Sequence, residues 1–273
     1  MPKKTANLDG KPPKTHPLKV GVATGGAVGY YLQVAAEKLG TEGNLYYFAG
    51  RGKAETTRWM LAATNVKFSN IYLRSNDEFV AMKSSSRLLF GQLPMLELDG
   101  KSFTQSRAMV LYLARRANLQ GRNIFEEARC AEIAGCCDDL ASGPMGHAFR
   151  ENKEEHKVKV CEPLFKKFGF YLEKIVRDNG TGWSVGDSLT YADILIAECL
   201  TSYEEFMPGI TMKYGYENLN RLRKVVCSLP GLKSYLQSSL RSKFPDDNYV
   251  RNVNEVLGRP MPKWLLNKEG TKP

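Results

Sequence analysis

Residues 44–55 read NLYYFAGRGKAE, and this stretch decides the fold of the central part of the chain. Residues 45–48 are a short, apolar, β-prone run. Gly50 and Gly52 follow it and permit a tight turn. Residues 56–63 then carry apolar side chains at helical spacing. A strand, a turn and a helix in this order present side chains at the carboxyl end of a sheet. The stretch therefore predicts that one tyrosine hydroxyl lies where it could touch a ligand, the alternative being that both tyrosines fill the core.

Composition and charge place the chain among ordinary globular proteins. Of its 273 residues, 42% are hydrophobic and 25% are charged, which is too apolar for a disordered chain. The net charge is +10, but the excess lies at the two ends. Residues 1–43 carry six lysines against three acidic residues, and residues 213–273 carry twelve basic against five acidic residues. Because no zinc finger, RNA-binding aromatic motif or basic zipper accompanies this charge, we predict no nucleic-acid partner.

The cysteine pattern argues against disulfides and metals. All six cysteines follow residue 129, and none belongs to a C-x-x-C pair. The chain has three histidines, and no pair of them stands at zinc-site spacing. Scattered cysteines in a chain of this length are commonly buried small hydrophobic residues in a reducing compartment. We therefore expect free cysteines and no metal site.

The N-terminal segment differs from the rest of the chain. Residues 1–19 are a basic leader, and residues 20–36 carry no charge. Gly21, Gly25 and Gly29 share one helix face, which would let two helices approach closely in lipid. A membrane anchor, a targeting segment and a soluble extension all remain open. Because lysines precede the run, an anchor would leave the body across the membrane. With free cysteines, this arrangement suits the mitochondrial inner membrane, and the cytoplasm is the alternative location.

The region 44–120 alternates strands and helices in the order β-α-β-α-β-β-α. Residues 67–73 and 95–98 read as strands, and Asp99-Gly100 is a strong two-residue hairpin signal. The remaining predicted elements are a helix at 77–83, a strand at 102–104 and a helix at 105–117. This order predicts a small α/β unit with a mixed sheet.

From residue 121 onward the strand signals fade and helical spacing takes over. Thr190 and Asp193 form a capping box, which satisfies amides at a helix start and gives Asp193 a structural role. Residues 121–258 are therefore predicted to be an all-α domain, and residues 259–273 an irregular basic tail. The predicted helices are 126–150, 156–178, 190–206, 217–227, 231–239 and one within 246–258.

Five stretches carry a resemblance to a known family. They are LYYFAGRGKAETTRW, FGQLPMLELDG, FTQSRAMVLYLARR, VGDSLTYADILIAE and SLPGLKSYLQ, and together they span about residues 44–260. In this order they resemble the cytosolic glutathione transferases, most closely the alpha and sigma types. The resemblance implies an α/β + all-α architecture. A thioredoxin-like, glutathione-binding domain at 44–120 would precede the family's helical C-terminal domain at 121–258.

The resemblance assigns a role to Tyr47. In these enzymes a tyrosine at the end of the first strand donates a hydrogen bond to the glutathione sulfur, and Tyr47 in YFAGRG matches it. Only the thiolate attacks, and a free thiol has a pKa of about 8.5. A hydrogen bond to the charged form favours that form. Tyr46 would point to the opposite sheet face, because strand side chains alternate. The predicted catalytic residue is therefore Tyr47.

The same resemblance predicts which residues bind glutathione. Gln105 and Ser106 would hold its γ-glutamyl carboxylate at a helix N-terminus. The loop at 92–94 would carry a cis proline and pair its backbone with the cysteinyl part. Lys53 stands where alpha-type enzymes place an arginine, which keeps the charge but loses the planar donor fork. Asp138, or the aspartate after it, would reach the partner subunit's glutathione. The full predicted set is Tyr47, Lys53, Lys83, Gln92, Leu93, Pro94, Gln105, Ser106 and Asp138.

The resemblance also implies a twofold dimer and a second-substrate pocket. Phe90 matches an aromatic residue that inserts between helices of the partner, where burial of a large apolar side chain is favourable. Arg107 would pair across the same interface. The second substrate would be a hydrophobic electrophile. Its predicted pocket contains Gly50, Met145, Phe149 and Tyr249.

Two functions follow from these features. The first is a glutathione transferase that activates the thiolate with a tyrosine and attacks hydrophobic electrophiles or peroxides, with glutathione as a substrate and no metal. The second is a glutathione-transferase-like structural subunit of a membrane assembly, attached through residues 20–36 or through its partners. The site motifs favour the first, and the glycine-rich N-terminal segment favours the second.

Overall fold

The computed structural model describes residues 42–270 and contains the predicted α/β unit at its N-terminal end. The predicted order of strands and helices is confirmed, with a 3₁₀ turn at Gly52–Ala54 added before the first helix. The elements are β1 (Gly43–Tyr47), α1 (Glu55–Ala63), β2 (Phe68–Tyr72), α2 (Asn76–Ser84), β3 (Met95–Leu98), β4 (Lys101–Thr104) and α3 (Ser106–Arg116).

The four strands form one mixed sheet in the order β2-β1-β3-β4. Strand β1 pairs in parallel with β2 and antiparallel with β3, and β3 pairs antiparallel with β4. The β3–β4 turn is confirmed at Asp99 and Gly100, whose φ angles are 55° and 69°. A two-residue hairpin turn needs positive φ at both central positions, which aspartate and glycine tolerate.

The two tyrosines of β1 lie on opposite faces of the sheet, as predicted. Leu45 and Tyr47 are buried, whereas Tyr46 is half-buried and its hydroxyl donates to Glu97 Oε2 at 2.9 Å. The alternation follows from the two-residue period of a strand. Tyr47 therefore ends the strand on the face that α1 covers.

The rest of the described chain is helical. Helix α7 is its centre, because it is buried along most of its length against the neighbouring helices. A π-helical segment, Lys157–Cys161, joins α5 to α6. The helices are α4 (Ile124–His147), α5 (Lys153–His156), α6 (Glu162–Asn179), α7 (Tyr191–Phe206), α8 (Ile210–Lys213), α9 (Glu217–Cys227), α10 (Pro230–Gln237), α11 (Asp247–Val256) and α12 (Lys263–Gly270).

The capping box at the start of α7 is present. The Asp193 carboxylate accepts hydrogen bonds from the Thr190 amide at 2.8 Å, from the Thr190 hydroxyl at 2.9 Å and from the Ser184 amide at 2.7 Å. Asp193 is fully buried, so these bonds offset the cost of removing its carboxylate from water. Its predicted structural role is confirmed.

Glu55 joins the two domains. It lies in α1 and is buried, and its Oε1 accepts a hydrogen bond from the Tyr235 hydroxyl of α10 at 2.9 Å. Its Oε2 pairs with Arg58 Nη1 at 3.1 Å. Because a buried charge is costly unless it is paired, Glu55 fixes α1 against α10.

The predicted irregular tail is wrong in its middle part, because residues 263–270 form α12. The carbonyl of Pro262 accepts from the Leu265 amide at 2.9 Å and so begins the helix. Proline is compatible with a helix start, because it lacks only an amide that would be unpaired there. Leu265 is buried and packs with Ala148 and Val250.

Two further expectations concern the cysteines and the membrane. All six cysteines are free, as predicted, and four of them are buried. The expected anchor at residues 20–36 lies outside the described residues. Within residues 42–270, none of the helices has the length and apolar character needed to cross a bilayer.

Candidate functional site

The Tyr47 hydroxyl lies at the turn that follows β1. Tyr47 is 4% exposed, and its oxygen accepts a hydrogen bond from the Lys53 amide at 3.0 Å. It also hydrogen-bonds to the Tyr249 hydroxyl from α11. Gly52 has a φ of 43°, and a Cβ there would collide with both hydroxyls. The glycine is therefore needed for its left-handed backbone and for the close approach of the two tyrosines.

The surroundings keep Tyr47 protonated. Burial raises the pKa of its phenol, while the hydrogen bond from Tyr249 and the one from the Lys53 amide partly lower it. A hydrogen bond lowers the pKa of a phenol when it is donated to the oxygen. The Tyr47 oxygen accepts the Lys53 amide, and because its pKa is raised the phenol keeps its proton, which it can donate to a ligand.

A cleft of about 430 Å³ lies between the two domains, beside this turn. It is lined by residues from the turn itself, from the start of α3, from α4 and α7, and from the loop before α11. Predicted site residues that line it are Lys53, Gln105, Ser106, Arg107, Asp138 and Met145. A second groove, of about 550 Å³, lies between α4 and α6, and none of the predicted site residues lines it.

The start of α3 forms the polar wall of this cleft. Gln105 has a φ of 72°, which is uncommon for a residue other than glycine and is frequent at ligand sites. Its Nε2 donates to Gln92 Oε1 at 3.1 Å, so the predicted loop reaches the cleft through this bond. The Ser106 hydroxyl donates to the Lys53 carbonyl at 2.9 Å. The amides at the start of α3 make this wall suitable for an anion.

The other predicted glutathione residues are not part of the cleft lining; they are Tyr47, Lys83, Gln92, Leu93 and Pro94. The Leu93–Pro94 bond is cis, as predicted. Lys83 is exposed on α2, with its Nζ 5.4 Å from the Phe79 ring centroid. Its Cε approaches within 3.5 Å of where a Cβ at Gly91 would lie, so Lys83 adjoins the same loop.

The predicted interface residues lie at the surface. Phe90 is 60% exposed on its loop. Arg107 pairs with Asp138 of the same chain at 2.6 Å and donates to the Ala134 carbonyl. Both residues were predicted to reach the partner subunit, Arg107 by pairing across the interface and Asp138 by contacting the partner's glutathione. In this chain they pair with each other.

The predicted second-substrate residues separate into two groups. Met145 lines the cleft, whereas Gly50, Phe149 and Tyr249 contact each other beside it. The Phe149 and Tyr249 ring centroids are 5.9 Å apart, and a Cβ on Gly50 would meet the Tyr249 ring. Tyr249 therefore covers the turn that follows β1.

Helix α11 is held over this turn by Asn252. Its side-chain oxygen accepts from the Ala49 amide at 2.8 Å, and its nitrogen donates to the Leu73 carbonyl at 3.1 Å. Both partners flank the carboxyl ends of β1 and β2. These bonds place Tyr249 against Tyr47, a role of Asn252 that no local sequence pattern predicts.

Two further residues of the cleft were missed. Arg51 is buried, pairs with Glu205 and donates from Nε to the Ser242 carbonyl at 2.7 Å. Its position between the two glycines of the turn was the available signal. Glu198 is buried in α7, and burial raises the pKa of its carboxyl to about 7. It lies within an apolar helical run, in which no local pattern indicates a functional site.

Comparison with known protein families accounts for both domains. A sequence profile described as "Glutathione S-transferase, N-terminal domain" matches residues 43–115. A second profile, "Glutathione S-transferase, C-terminal domain", matches residues 138–239. The two matches fall on the α/β unit and on the helical domain.

Individual relatives agree with these profiles. Glutathione S-transferase 3 of Gallus gallus is 36% identical over 219 residues, which cover 78% of this chain and 93% of that protein. Glutathione S-transferase alpha-4 of Rattus norvegicus is 33% identical over 216 residues, 78% of this chain and 96% of that protein.

Solved structures show the same fold. A structure described as monomeric Na-GST-3 of Necator americanus has a TM-score of 0.66 and 31% identity, over 74% of this chain and 100% of that one. The glutathione S-transferase of Ascaris lumbricoides has a TM-score of 0.64 and 32% identity, over 75% of this chain and 99% of that one. From its two matched domains, its fold and these relatives, the chain belongs to the glutathione S-transferase family and is alpha-like.

Proposed function

We propose that this chain is a glutathione transferase in which the Tyr47 hydroxyl donates a hydrogen bond to the sulfur of glutathione. The observation that carries the proposal is the hydrogen bonding and protonation of the Tyr47 phenol. Its oxygen accepts a hydrogen bond from the Lys53 amide, its hydroxyl contacts that of Tyr249, and burial raises its pKa. The phenol therefore has one proton to give and retains it at neutral pH.

The chemistry then needs only a stabilised thiolate. The thiol proton of bound glutathione leaves to solvent, and the Tyr47 hydroxyl stabilises the sulfur anion. A hydrogen bond to a charged group contributes about 1.5–3 kcal/mol, which corresponds to a fall of about 1–2 units in the thiol pKa. The thiolate forms a bond to an electrophilic carbon and displaces its leaving group, or attacks a peroxide oxygen and breaks the O–O bond.

The remaining polar residues would hold glutathione in place. The γ-glutamyl carboxylate would lie at the start of α3, against Gln105 and Ser106. The backbone of the loop at Leu93 would pair with the cysteinyl part. Lys53 and Lys83 would attract the carboxylates of glutathione.

The second substrate would occupy the part of the cleft between α4 and the loop before α11. Its walls there include Pro144, Met145 and Phe244, which are apolar. Tyr249, Gly50 and their contacts would close the end nearest Tyr47. This lining suits a hydrophobic electrophile.

A homodimer is proposed from two exposed features. Phe90 is 60% exposed, and burial of this large apolar side chain against a partner would be favourable. Arg107 and Asp138 lie together at the cleft edge, where Asp138 could also reach a partner's glutathione. Because one similar structure is described as monomeric, sedimentation of wild type and Phe90→Ser tests this part separately.

The test of function is a conjugation assay on the purified full chain, with glutathione and an aryl halide. Tyr47→Phe should lower turnover sharply. Tyr46→Phe is the matched control, because Tyr46 is its neighbour on the opposite face of β1, and it should retain activity. A wild-type chain that neither binds glutathione nor conjugates it would contradict the proposal and favour the structural-subunit alternative.

A further inference from the structure

Three side chains with metal-binding atoms meet outside the glutathione cleft. They are His147 at the end of α4, His156 at the end of α5 and Cys161 at the end of the π-helical segment. One ligand atom from each lies within 4.8 Å of the others. Within residues 42–270, this is the one group of three or more such residues close enough to share an ion.

The π-helical segment brings two of the three together. His156 and Cys161 are five residues apart, which on an α-helix would turn them about 140° away from each other. The segment instead closes an i to i+5 hydrogen bond, from the Glu162 amide to the Lys157 carbonyl. This wider turn leaves Cys161 Sγ 3.4 Å from His156 Nδ1. Such one-turn π segments are frequent at functional sites.

The third residue has an unsatisfied polar atom. His147 is 8% exposed, and its Nδ1 finds no hydrogen-bond partner among the described residues. Its ring packs against His156 at 5.7 Å and against Phe206 at 5.3 Å between centroids. A buried nitrogen without a partner is costly, and a bound cation would satisfy the lone pair of an imidazole nitrogen.

We propose that His147, His156 and Cys161 bind one Zn²⁺ ion, through one ring nitrogen of each histidine and the sulfur of Cys161. Imidazole and thiolate are the ligands that Zn²⁺ prefers, whereas Mg²⁺ and Ca²⁺ require oxygen ligands. The Cys161 thiol loses its proton to solvent as the metal–sulfur bond forms. The family's transferase reaction needs no metal, so the proposed site is separate from catalysis.

One of the three pairs already has the separation that such an ion requires. Zn²⁺ binds nitrogen at about 2.0–2.1 Å and sulfur at about 2.3 Å, so tetrahedral ligand atoms lie roughly 3.3–3.8 Å apart. The Cys161–His156 pair already has this separation, at 3.4 Å. Separations of up to 4.8 Å in the group have to close by roughly 1–1.5 Å when the ion binds. A water molecule would complete the fourth position.

The proposed ion would brace one wall of the cleft. His147 follows Met145 in α4, and its ring lies 6.4 Å from the Phe244 ring. Met145 and Phe244 both line the cleft. Metal binding at His147 would therefore help to hold the apolar wall of the second-substrate region in place.

The test uses the purified full chain, treated with a chelator and then titrated with Co²⁺ as a spectroscopic substitute for Zn²⁺. We expect one Co²⁺ per chain, with a sulfur-to-cobalt charge-transfer band and the intense visible absorption of a tetrahedral site. Added Zn²⁺ should displace Co²⁺ stoichiometrically and raise the thermal midpoint of the chain.

Matched variants decide whether these three residues are the ligands. Cys161→Ser should abolish the charge-transfer band and weaken Zn²⁺ binding at least about tenfold. Cys130→Ser is the control, because Cys130 is equally buried elsewhere in α4 and should keep both signals. His147→Gln should weaken Zn²⁺ binding while retaining the sulfur band, which keeps the test decisive if Cys161→Ser folds poorly. Absence of stoichiometric Co²⁺ binding, or an unchanged band in Cys161→Ser, would overturn the proposal.

Discussion

The hydroxyl groups of Tyr249 and Tyr47 lie next to each other, both close to where a Cβ on Gly52 would stand, and this contact joins α11 to β1. Asn252, one turn along α11, holds the helix in this position through Ala49 and Leu73. Helix α11 thereby completes the surroundings of a residue about two hundred positions earlier in the chain. The acidity of the Tyr47 phenol depends on this contact.

Removing only the Tyr249 hydroxyl should weaken thiolate activation without abolishing it. In Tyr249→Phe the ring still covers Gly50 and contacts Phe149, but the hydrogen bond that lowers the pKa of Tyr47 is lost. A single hydrogen bond is worth about 0.5–1.5 kcal/mol, so we expect kcat/KM for glutathione to fall roughly 2- to 10-fold. Steady-state kinetics beside Tyr47→Phe check this. If kcat/KM fell as far in Tyr249→Phe as in Tyr47→Phe, the assignment of Tyr47 as the tyrosine that contacts the sulfur, with Tyr249 behind it, would be contradicted.

Filling the space at Gly50 should displace Tyr249. A Cβ on residue 50 would lie 2.7 Å from Tyr249 Cε2, so Gly50→Ala forces the ring or the helix to move. Overpacking of this kind costs about 1–3 kcal/mol, measurable as a lower urea midpoint.

A glycine elsewhere provides the control. Gly135 is exposed in α4, and a Cβ there meets nothing within 4 Å. Gly135→Ala should stabilise the chain by about 0.5–1 kcal/mol, because alanine loses less conformational entropy than glycine in the middle of a helix. If Gly50→Ala raised the urea midpoint as Gly135→Ala is expected to do, the close contact described between Tyr249 and Gly50 would be contradicted.

The charge of Lys53 should contribute modestly to glutathione binding. Lys53 lines the cleft and is exposed, so its interaction with an anionic ligand is screened by water. Exposed ion pairs are worth about 0.2–1 kcal/mol. Lys53→Met should therefore raise KM for glutathione by up to about fivefold, and Lys53→Arg should restore or improve it. Equal KM values in wild type and Lys53→Met would exclude Lys53 from the site.

Glu198 should make stability depend on pH. Burial raises the pKa of its carboxyl from 4.5 to about 7, so the folded chain keeps this proton where the unfolded chain has lost it. Unfolding then releases a proton, and the free energy of unfolding falls as pH rises between these two values. The fall amounts to at most about 3 kcal/mol. Glu198→Gln is neutral at every pH, so its advantage over wild type should be small near pH 5 and largest above pH 7.

Urea unfolding of both chains at several pH values measures this difference. Glu132→Gln serves as the control, because Glu132 is exposed in α4 and should change stability by no more than about 0.5 kcal/mol. A constant difference between wild type and Glu198→Gln across this pH range would show that Glu198 titrates normally.

Local signals predicted the α/β unit well. Asp99-Gly100 selects a hairpin by the φ angles that it tolerates, and the tyrosine pair in β1 follows the strand period. Each of these features depends on a few consecutive residues. These predictions were confirmed because residues that are adjacent in the sequence determine such features.

Features that depend on distant contacts were missed or placed incompletely. Helix α12 forms because Leu265 packs against Ala148 and Val250, which no local pattern in a proline-containing tail reveals. The position of Tyr249 against Tyr47 depends on Asn252 and on how two domains dock. Likewise, the raised pKa of Glu198 follows from tertiary burial.

The central claim, that Tyr47 stabilises the thiolate of glutathione, is tested most directly by the ultraviolet absorbance of that thiolate in the bound complex, followed as a function of pH. In the wild type, bound glutathione should ionise below the value of about 8.5 for a free thiol. In Tyr47→Phe the midpoint should rise by about 1–2 pH units, while Tyr46→Phe should match the wild type. The same thiolate midpoint in wild type and Tyr47→Phe would contradict the claim.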